Sequence, residues 1–388
     1  MCDNTGIMRI GIFGGTFNPV HAEHVETAKR ALKELNLDKL FIMPTFSSPH
    51  KTLMAASAED RINMLKIAFA GVPEAEISTY ETDKKGKSYT YLTVTEFKNR
   101  YPHDELFLII GGDMLNDFRT WKNPEIIVGA CTLCVFGRED YFTDYRKEEE
   151  YFKARFGKTF KRLSYVGKKC SSTKIRLYAA FSLGLEGICI PAVAEYIKDN
   201  NVYPADKYVA FVTAHMPLKR RIHTASVAVT ALKKAKELCL DQNKVMCAAV
   251  LHDCAKYLSP DDYKDFVLPK DVPAPVVHQY LGAYVAEKVL GVTDEEVLDA
   301  IRYHTSGKPD MTTLGKLIFV ADMIEENRDY DGVENLRKLY EKDFEECFKE
   351  CLKEETLHLI NKKEKIYGVT LSAYRYYIKD DKETGADN

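Results

Sequence analysis

The stretch RIGIFGGTFNPVHAEH, residues 9–24, decides the fold of the first half of the chain. Its run from Arg9 to Phe13 predicts a short buried strand, and two glycines follow that run directly. From Val25 to Leu35, apolar residues then recur with the spacing of a helix. The stretch therefore predicts a strand, a tight glycine turn and a helix, an arrangement whose helix N-terminus favours phosphate groups.

Two glycines and two histidines in this turn are the first candidates for chemistry. Gly14 and Gly15 have no Cβ, so the backbone there can approach a ligand closely. His21 and His24 lie three residues apart and share one face of the first helical turn, from which both can reach the same phosphates. The alternative is a glycine loop with two surface histidines, and the complete stretch argues against it.

Strand and helix patterns alternate from the beginning of the chain to about residue 200. Further strands are predicted at 40–44, 76–80 and 106–110, helices at 58–71 and 91–101, and a helix end followed by a strand over 126–136. This alternation predicts a doubly wound parallel sheet of the Rossmann-like α/β class, which binds ligands at the carboxyl ends of its strands.

Composition limits the classes of function. A chain of 388 residues, 45% apolar and 29% charged, is typical of a globular protein of two or three domains. The net charge of −3 gives no global attraction to nucleic acid, and the longest apolar run falls short of the ~20 residues of a membrane span. With ten scattered cysteines and no signal-like beginning, we expect a cytoplasmic protein without nucleic-acid or membrane partners. The oligomeric state, including a homo-oligomer, is left open.

Polar side chains that follow the predicted strands or open predicted helices give further candidates. Each has an ordinary structural alternative: a solvated turn for a loop lysine, core packing for a lone tryptophan, and simple helix caps for hydroxyl groups. The only tryptophan could instead stack on an aromatic base, and hydroxyls beside an arginine could hold a triphosphate. The candidates are Lys51, Thr90, Gly111, Asp113, Trp121, Ser171, Ser172, Thr173 and Arg176.

The ordered set of these motifs resembles the nicotinate-nucleotide adenylyltransferases, which are nucleotidyltransferases with an HxGH motif. The resemblance covers residues 8–204 and comprises GGTFNPVHAEH, SPHK, KSYTYLT, LFLIIGGDM with the following Trp121, and SSTKIR. Two residues depart from the family pattern, because Asn18 replaces the usual Asp and Glu23 replaces the small Gly that leaves room for the nucleotide. We therefore expect the Glu23 carboxylate to point outward.

The resemblance implies that ATP gives its adenylyl group to nicotinate mononucleotide, with Mg²⁺ bridging the leaving phosphates. It assigns catalysis to His21 and His24, and binding of the acceptor to Thr90 and Trp121. A different phosphorylated acceptor, such as phosphopantetheine or a ribityl nucleotide, is the alternative. The residues that the resemblance assigns to ATP are Gly14, Gly15, Thr16, Phe17, Lys51, Gly111, Asp113, Ser171, Ser172, Thr173 and Arg176.

The pattern changes near residues 199–207, where a turn-rich segment ends the strand pattern. We therefore predict an α/β domain over 1–204 and an all-α domain over 205–388. The charged tail, residues 379–388, is predicted to be disordered. Helical stretches are predicted at 207–216, 220–240, 243–257, 260–267, 275–290, 294–304, 312–327, 333–341 and 343–363.

Six residues of the second half have side chains that bind metals in proteins. A lone histidine on an apolar face is usually structural, but a buried aspartate needs a partner or a metal. Histidine and aspartate together suit a transition metal, and a carboxylate can bridge two ions. The six residues are His223, His252, Asp253, His278, His304 and Asp322, and most have apolar neighbours.

In their order, these residues resemble the H…HD…D pattern of the HD phosphohydrolase superfamily, and their surroundings resemble its YqeK-type members over 207–365. That resemblance implies symmetrical hydrolysis of diadenosine tetraphosphate to two ADP at a dinuclear centre of Fe²⁺/Fe³⁺ or Mn²⁺. It assigns a bridging, catalytic carboxylate to Asp253 and phosphate binding to Lys256 and Arg328. The alternative is a module that senses this nucleotide without hydrolysing it.

Overall fold

The computed structural model describes residues 6–46, 54–84, 86–139, 141–168, 170–362 and 366–378. The chain divides into two units, one of Met1–Arg176 with Leu185–Tyr203 and the other of Leu177–Gly184 with Pro204–Asn388. Lys51 and the tail over 379–388 lie outside the described residues, so the predictions about them stay predictions.

Six parallel strands form the sheet of the first unit, in the order β3-β2-β1-β4-β5-β6. The strands are β1 (Arg9–Gly15), β2 (Lys39–Pro44), β3 (Ala75–Ile77), β4 (Glu105–Gly111), β5 (Thr132–Arg138) and β6 (Lys161–Gly167). The apolar run of β1 is buried without alternation, as expected where helices cover both faces of a sheet. Ile12 pairs with Phe41 of β2 on one side and with Leu108 of β4 on the other, so β1 is a central strand.

Helices connect these strands on both faces of the sheet. The strand order reverses between β1 and β4, which is the arrangement of a doubly wound sheet and confirms the predicted α/β class. The helices are α1 (Ala22–Glu34), α2 (Ala58–Phe69), α3 (Tyr80–Asp83), α4 (Thr90–Arg100), α5 (Gly112–Asp117), α6 (Pro124–Ala130), α7 (Tyr145–Phe156), α8 (Ser172–Ala180) and α9 (Pro191–Asp199).

The second unit is helical and has no strand among its described residues, which confirms the predicted all-α class. Its helices are α10 (Lys207–His215), α11 (Leu218–Ala235), α12 (Gln242–Leu251), α13 (Val277–Tyr284), α14 (Glu295–Arg302), α15 (Thr313–Ile324), α16 (Val333–Lys342), α17 (Phe344–Asn361) and α18 (Gly368–Ile378). α11 packs against α12 and α15, and α14 packs against α13 and α15. No helix in the described part of the chain combines the length and the apolar character that crossing a membrane requires.

Helix α8 is divided between the two units. Residues 172–176 belong to the first unit, and the segment from 177 to 184 belongs to the second. Within the second unit, Arg221 donates a hydrogen bond to the carbonyl of the fully buried Phe181 (3.3 Å). The hydroxyl of Tyr178 lies 3.5 Å from that of Ser226. Side chains that precede residue 204 thus complete the core of the second unit.

Two secondary-structure predictions are wrong. β3 ends at Ile77 rather than Tyr80, because the Ser78 hydroxyl accepts a hydrogen bond from the Tyr80 backbone and a helical turn begins there. The predicted helix over 260–267 is only a three-residue 3-10 turn. Val267 is 84% exposed, so this segment lacks the buried apolar face that stabilises most helices.

Candidate active sites

A cavity of about 420 Å³ lies at the carboxyl ends of β1, β4 and β5. Doubly wound sheets bind ligands here, because the strand order reverses between β1 and β4. The structure therefore brings the glycine turn, both histidines and the two acceptor candidates to one place. The predicted residues that line the cavity are Gly14, Gly15, Thr16, Phe17, His21, His24, Thr90, Gly111, Asp113 and Trp121.

His21 and His24 stand at the start of α1 with their rings stacked, the ring centroids 3.6 Å apart. The backbone N–H of His21 donates a hydrogen bond to Nδ1 of His24 (3.1 Å). A neutral His24 therefore carries its proton on Nε2, from which it can donate to a ligand. Nδ1 of His21 is buried and has no hydrogen bond among the described residues, so it too is available to a ligand.

Both imidazoles are neutral at pH 7 in this site. Burial lowers the pKa of His21 to about 4, and the charge of Arg138 acts in the same direction. Burial also lowers the pKa of His24 well below its usual value, and the neighbouring His21 and Arg138 act in the same direction. Neutral imidazoles of this kind can donate hydrogen bonds to negative charge as it develops on a ligand.

Because the pKa of His21 is lowered, we expect the first unit to lose stability as the pH falls. The unfolded histidine binds a proton below pH ~6.5, whereas the folded one does so only near its pKa of about 4. The free energy of unfolding is therefore highest above pH ~6.5 and falls as the pH drops from there toward about 4. At about pH 5.5, His21 alone lowers it by about 1.4 kcal/mol. Urea unfolding at both ends of this pH range measures this decline through the fluorescence of Trp121, the only tryptophan.

The control for this expectation is His21→Asn, which removes the titrating ring and keeps a polar side chain at the start of α1. We expect the decline to be smaller in this variant. An equally steep decline in the variant and the native protein would show that burial of His21 is not its source.

The segment after β6, predicted to bind triphosphate, holds the turn that follows β1. The Ser172 hydroxyl donates to the carbonyl of Pro19 (2.9 Å). The guanidinium of Arg176, which is 8% exposed, donates to the carbonyl of Asn18 (2.7 Å) and to the hydroxyl of Thr173 (3.0 Å). The four ATP-binding candidates of this segment do not line the cavity, so their contact with ATP stays a prediction. They are Ser171, Ser172, Thr173 and Arg176.

Asn18, the first departure from the resembled motif, uses both ends of its amide. Its Oδ1 accepts hydrogen bonds from the backbone N–H of Ala56 (3.0 Å) and the hydroxyl of Tyr203 (2.9 Å). Its Nδ2 donates to the carbonyl of Met54 (3.4 Å). An ionised aspartate could accept the first two bonds but could not donate the third. Asn18 therefore suits its neighbours in this chain.

Glu23, the second departure, has its carboxylate at the carboxyl end of β6. The hydroxyl of Tyr165 (2.6 Å) and the backbone N–H of Lys168 (2.8 Å) donate to its Oε2. A Cβ placed on Gly14 would meet no atom within 4 Å, so the turn is open at that residue, whereas a Cβ on Gly15 would meet the Phe17 ring at 3.0 Å. The Glu23 side chain still forms part of the cavity wall, beside the loop that follows β6.

Three charged residues of this cavity were not predicted: Glu81, Arg138 and Lys168. Arg138 ends β5, and its Nη1 lies 3.5 Å from Oδ2 of Asp113. Glu81 is buried, and its Oε1 accepts a hydrogen bond from the Thr93 hydroxyl (2.5 Å). Burial raises the pKa of Glu81. Glu81 directly follows one predicted strand and Arg138 comes two residues after another, which is the signal that could have identified them.

The six predicted metal ligands of the second unit lie together where α11, α12, α13, α14 and α15 meet. Two overlapping groups could each hold an ion, and within each group the ligand atoms lie within 4.8 Å of one another. Nε2 of His278 lies 3.1 Å from Oδ1 of Asp253 and 3.2 Å from Nε2 of His304. The two groups are His223 with His252 and Asp322, and His252 with Asp253 and His304.

Hydrogen bonds on the far side of three rings orient this cluster. Nδ1 of His252 and of His304 lies 2.7 and 2.8 Å from a backbone carbonyl, and Nδ1 of His223 lies 3.1 Å from Oε1 of Glu325. Each Nδ1–H is thereby engaged, and each Nε2 is left for the cluster. Glu325, which is 2% exposed, was not predicted.

Nε2 of His252 is buried without a hydrogen bond among the described residues. Nε2 of His223 and Oδ1 of Asp253 make no well-aligned hydrogen bond there either, and their near neighbours are other members of the cluster, Oδ1 of Asp322 (3.0 Å) and Nε2 of His278 (3.1 Å). Buried polar atoms without partners are costly, and imidazole with carboxylate is a donor set that a divalent transition metal satisfies. The side chains present therefore fit a metal ion.

The protonation states of the two carboxylates and of His252 suit a metal. Burial alone would raise the pKa of Asp253 and Asp322, but the surrounding histidines hold both carboxyls well below their usual values. Burial lowers the pKa of His252 to about 3, whereas Asp322 and Glu325 raise the pKa of His223 despite its burial. At neutral pH the cluster thus offers ionised carboxylates and a neutral His252, which are metal-binding forms.

A second cavity, of about 760 Å³, adjoins the cluster and contains three basic side chains. Nη1 of Arg220 lies 2.7 Å from Oδ2 of Asp253, and Nζ of Lys256 lies 3.8 Å from the other oxygen of that carboxylate. Arg328 forms an ion pair with Asp322. Lys256 and Arg328 are the predicted phosphate ligands, while Arg220 was missed, although it lies three residues before His223 on the same helix.

Comparison with known families and proteins finds matches for both halves of the chain. A family described as Cytidylyltransferase-like matches residues 12–177, and the HD domain family matches residues 220–327. A protein of Mycoplasma genitalium named probable nicotinate-nucleotide adenylyltransferase/Ap4A hydrolase is 30% identical over 326 residues. That match covers 82% of this chain and 88% of the Mycoplasma protein, so it includes parts of both units.

Two further relatives match one half each. A Bacillus subtilis protein named bis(5'-nucleosyl)-tetraphosphatase, symmetrical, is 36% identical over 180 residues, which are 45% of this chain and 97% of the relative. A protein of Endomicrobium trichonymphae named probable nicotinate-nucleotide adenylyltransferase is 37% identical over 171 residues, which are 43% of this chain and 84% of the relative.

Proposed function

The chain belongs to the family of two-domain nicotinate-nucleotide adenylyltransferase/Ap4A hydrolases, and from this premise we propose that it catalyses two reactions. The first transfers AMP from ATP to nicotinate mononucleotide and releases pyrophosphate, and the second hydrolyses diadenosine tetraphosphate (Ap4A) to two ADP. We assign the first to residues 1–204 and the second to residues 205–388. One observation carries the proposal: a glycine turn with two neutral imidazoles lines one cavity, and a cluster of histidines and aspartates adjoins the other.

In the first reaction, a phosphate oxygen of the acceptor attacks the α-phosphorus of ATP, and the bond from that phosphorus to the pyrophosphate oxygen breaks. The attacking phosphate is already an anion, so positioning and charge stabilisation are the main requirements. The Nε2–H of His24 can donate to the α-phosphate oxygens, and Arg138 brings positive charge to the same cavity. Thr90 and Trp121 line the cavity too, and the indole can stack on the nicotinate ring.

We treat Mg²⁺ as part of the substrate MgATP. Within the described residues of the first unit, no three His, Cys, Asp or Glu side chains lie close enough together to hold an ion. Mg²⁺ keeps several of its waters and commonly binds through substrate phosphates, so a dedicated protein cage is not required. The expectation is that the metal enters and leaves with the nucleotide and pyrophosphate.

Replacing Glu23 by glycine, the residue of the family motif, removes the connection between α1 and the end of β6. We expect the KM for ATP to rise about tenfold, since a hydrogen bond to a charged group contributes roughly 1.5–3 kcal/mol and the loop after β6 forms part of the cavity wall. The value of kcat should change much less, because His21 and His24 stay in place. Steady-state kinetics with varied MgATP measure both constants.

Tyr165→Phe is the matched control for this variant, because it keeps the Glu23 carboxylate and removes one of its two donors. We expect a smaller rise in the KM for ATP. A lower KM in Glu23→Gly than in the native protein would contradict the assignment, and would show that the carboxylate obstructs the nucleotide.

We propose that the second site holds Fe²⁺/Fe³⁺ or Mn²⁺ as a dinuclear centre, a proposal supported by the two overlapping ligand groups. A bound metal supplies an activated water there, since coordination lowers the pKa of water from about 15.7 to about 7. Asp253 and Asp322 are ionised at neutral pH and hold their places among the histidines. Arg220, Lys256 and Arg328 are positioned to bind phosphate oxygens in the adjoining cavity.

In the proposed hydrolysis, the oxygen of water bonds to one of the two central phosphorus atoms of Ap4A, and the water gives up a proton. The bond from that phosphorus to the oxygen that joins the two central phosphorus atoms breaks, and this oxygen leaves as part of the second ADP. The cations that line the cavity can neutralise the charge that this oxygen gains.

Assays of the intact chain test both activities. Pyrophosphate release from MgATP is measured with nicotinate mononucleotide, nicotinamide mononucleotide, phosphopantetheine and a ribityl phosphate, and we expect nicotinate mononucleotide to react fastest. Hydrolysis of Ap4A is measured on metal-free protein before and after addition of Fe²⁺ or Mn²⁺, and we expect ADP as product only with metal. Faster reaction with another acceptor would replace the first assignment, and Ap4A binding without ADP formation would identify a sensor.

A further inference from the structure

Helix α17 extends the wall of the second cavity beyond the metal-ligand cluster. Glu354, Glu355, His358 and Asn361 of this helix line the cavity. Spacings of three and four residues bring side chains to one helical face, so these residues present a continuous polar surface. The helix follows the segment 220–327 that matches the HD domain family, so this wall is built outside the matched segment.

Side chains of both charge signs line this cavity, and its cations contact the cluster. The end beside the cluster contains Arg220, Lys256 and Arg328, which attract phosphate. The α17 wall contains Glu354 and Glu355, whose charges repel phosphate. A polyphosphate chain is therefore favoured against the cluster, and the uncharged portion of a nucleotide is favoured against α17.

The carboxylates of the α17 wall are available as hydrogen-bond acceptors. In the described part of the chain, no hydrogen bond or ion pair engages the side chain of Glu354 or Glu355, although His358 and Arg328 lie within electrostatic reach of Glu355. Glu355 is half-buried, so a hydrogen bond made there is partly shielded from competing water. Ribose hydroxyls are neutral donors of the kind that carboxylates bind.

The cavity also has the size and the polarity of a ligand site. Its volume of about 760 Å³ falls within the range of roughly 300–1,000 Å³ that is typical of small-molecule pockets. Asp253, which lines its inner end, is 2% exposed and has an oxygen without a hydrogen bond among the described residues. A ligand that spans the cavity can thus contact both the cluster and α17.

We propose that the face of α17 formed by Glu354, Glu355, His358 and Asn361 is the nucleoside subsite of the hydrolase, in which Glu354 and Glu355 accept hydrogen bonds from the ribose hydroxyls. The subsite selects nucleotides with an intact ribose diol, and the phosphates lie toward Arg220, Lys256 and Arg328. This inference rests on the hydrolase activity proposed above and names the residues that recognise its substrate.

The test compares ADP with 2′,3′-dideoxy-ADP as inhibitors of Ap4A hydrolysis by the intact, metal-loaded protein. The two nucleotides have the same phosphates and base and differ only in the ribose hydroxyls. We expect ADP to bind at least about tenfold more tightly than the dideoxy compound, because one hydrogen bond to a charged group strengthens binding by about tenfold or more. In the double variant Glu354→Ala, Glu355→Ala, ADP should lose this advantage, while binding of dideoxy-ADP should change less than about twofold.

Glu350→Ala is the matched control, because Glu350 lies on the same helix, pairs with Lys353 and does not line the cavity. It should keep the full preference for ADP. Equal binding of ADP and dideoxy-ADP by the native protein would overturn the inference even if Ap4A is hydrolysed, and this comparison needs no variant. A native protein that neither hydrolyses Ap4A nor binds ADP would instead remove the hydrolase function itself, and the inference with it.

Discussion

Replacement of His24 by alanine lowers the rate of adenylyl transfer by at least about a hundredfold, since one donor aimed at developing charge contributes roughly 10²–10³-fold. The backbone of His21 fixes Nδ1 of His24, and the proton on Nε2 is left for the α-phosphate. Alanine removes that donor and is a good helix former, so α1 should remain intact. The rate is measured as pyrophosphate release at saturating MgATP and nicotinate mononucleotide.

His103→Ala is the matched control, because His103 is an exposed histidine of the same unit that does not line the cavity. It should transfer the adenylyl group at the native rate. The His24→Ala protein should still hydrolyse Ap4A at the native rate, which shows that the rest of the chain is folded. Unimpaired adenylyl transfer in His24→Ala would refute the catalytic assignment of the histidine pair.

Replacement of Asp253 by asparagine lowers Ap4A hydrolysis by at least about a thousandfold, which corresponds to roughly 4 kcal/mol in the barrier. The carboxylate is 2% exposed, and its oxygens lie 2.7 Å from Arg220, 3.1 Å from His278 and 3.5 Å from His304. Asparagine keeps the volume but removes the charge that balances these groups and any bound cation. The metal content of the purified variant should fall together with the hydrolysis rate.

Asp261→Asn is the control for Asp253→Asn, because Asp261 is an exposed aspartate of the same unit. The Asp253→Asn protein should retain the native rate of adenylyl transfer. The two variants thus differ in the activity they lose: His24→Ala loses adenylyl transfer, and Asp253→Asn loses Ap4A hydrolysis. Native metal content and native hydrolysis in Asp253→Asn would contradict the proposed centre.

The sequence could predict those parts of the sites that depend on local order. The glycine turn, His21 and His24 follow from the strand and helix pattern around them, because a strand end and a helix start fix their positions relative to each other. For the metal-ligand cluster, side-chain type and apolar neighbours suggested the six candidates, and the resemblance to a known pattern joined them into one site. Its members come from five segments, and no local rule brings His223 to Asp322.

The parts that the sequence did not predict depend on distant contacts. Glu325 orients the imidazole of His223, which lies 102 positions earlier in the chain, and only the folded structure shows that contact. Arg176 donates to the backbone carbonyl of Asn18, a contact that the sequence did not predict, while its predicted contact with triphosphate stays a prediction. A charged side chain near a helix N-terminus can serve either purpose, and packing decides between them.

The division of α8 limits how this chain can be truncated. A fragment that begins after residue 204 lacks residues 177–184, and with them the buried Phe181 whose carbonyl accepts a hydrogen bond from Arg221. A cut placed before residue 177 keeps those contacts but shortens the helix whose first turn supports the turn that follows β1. Neither fragment retains its complete set of native contacts, so inactivity of an isolated half would not identify its catalytic role. Point variants in the uncut polypeptide separate the two activities more cleanly.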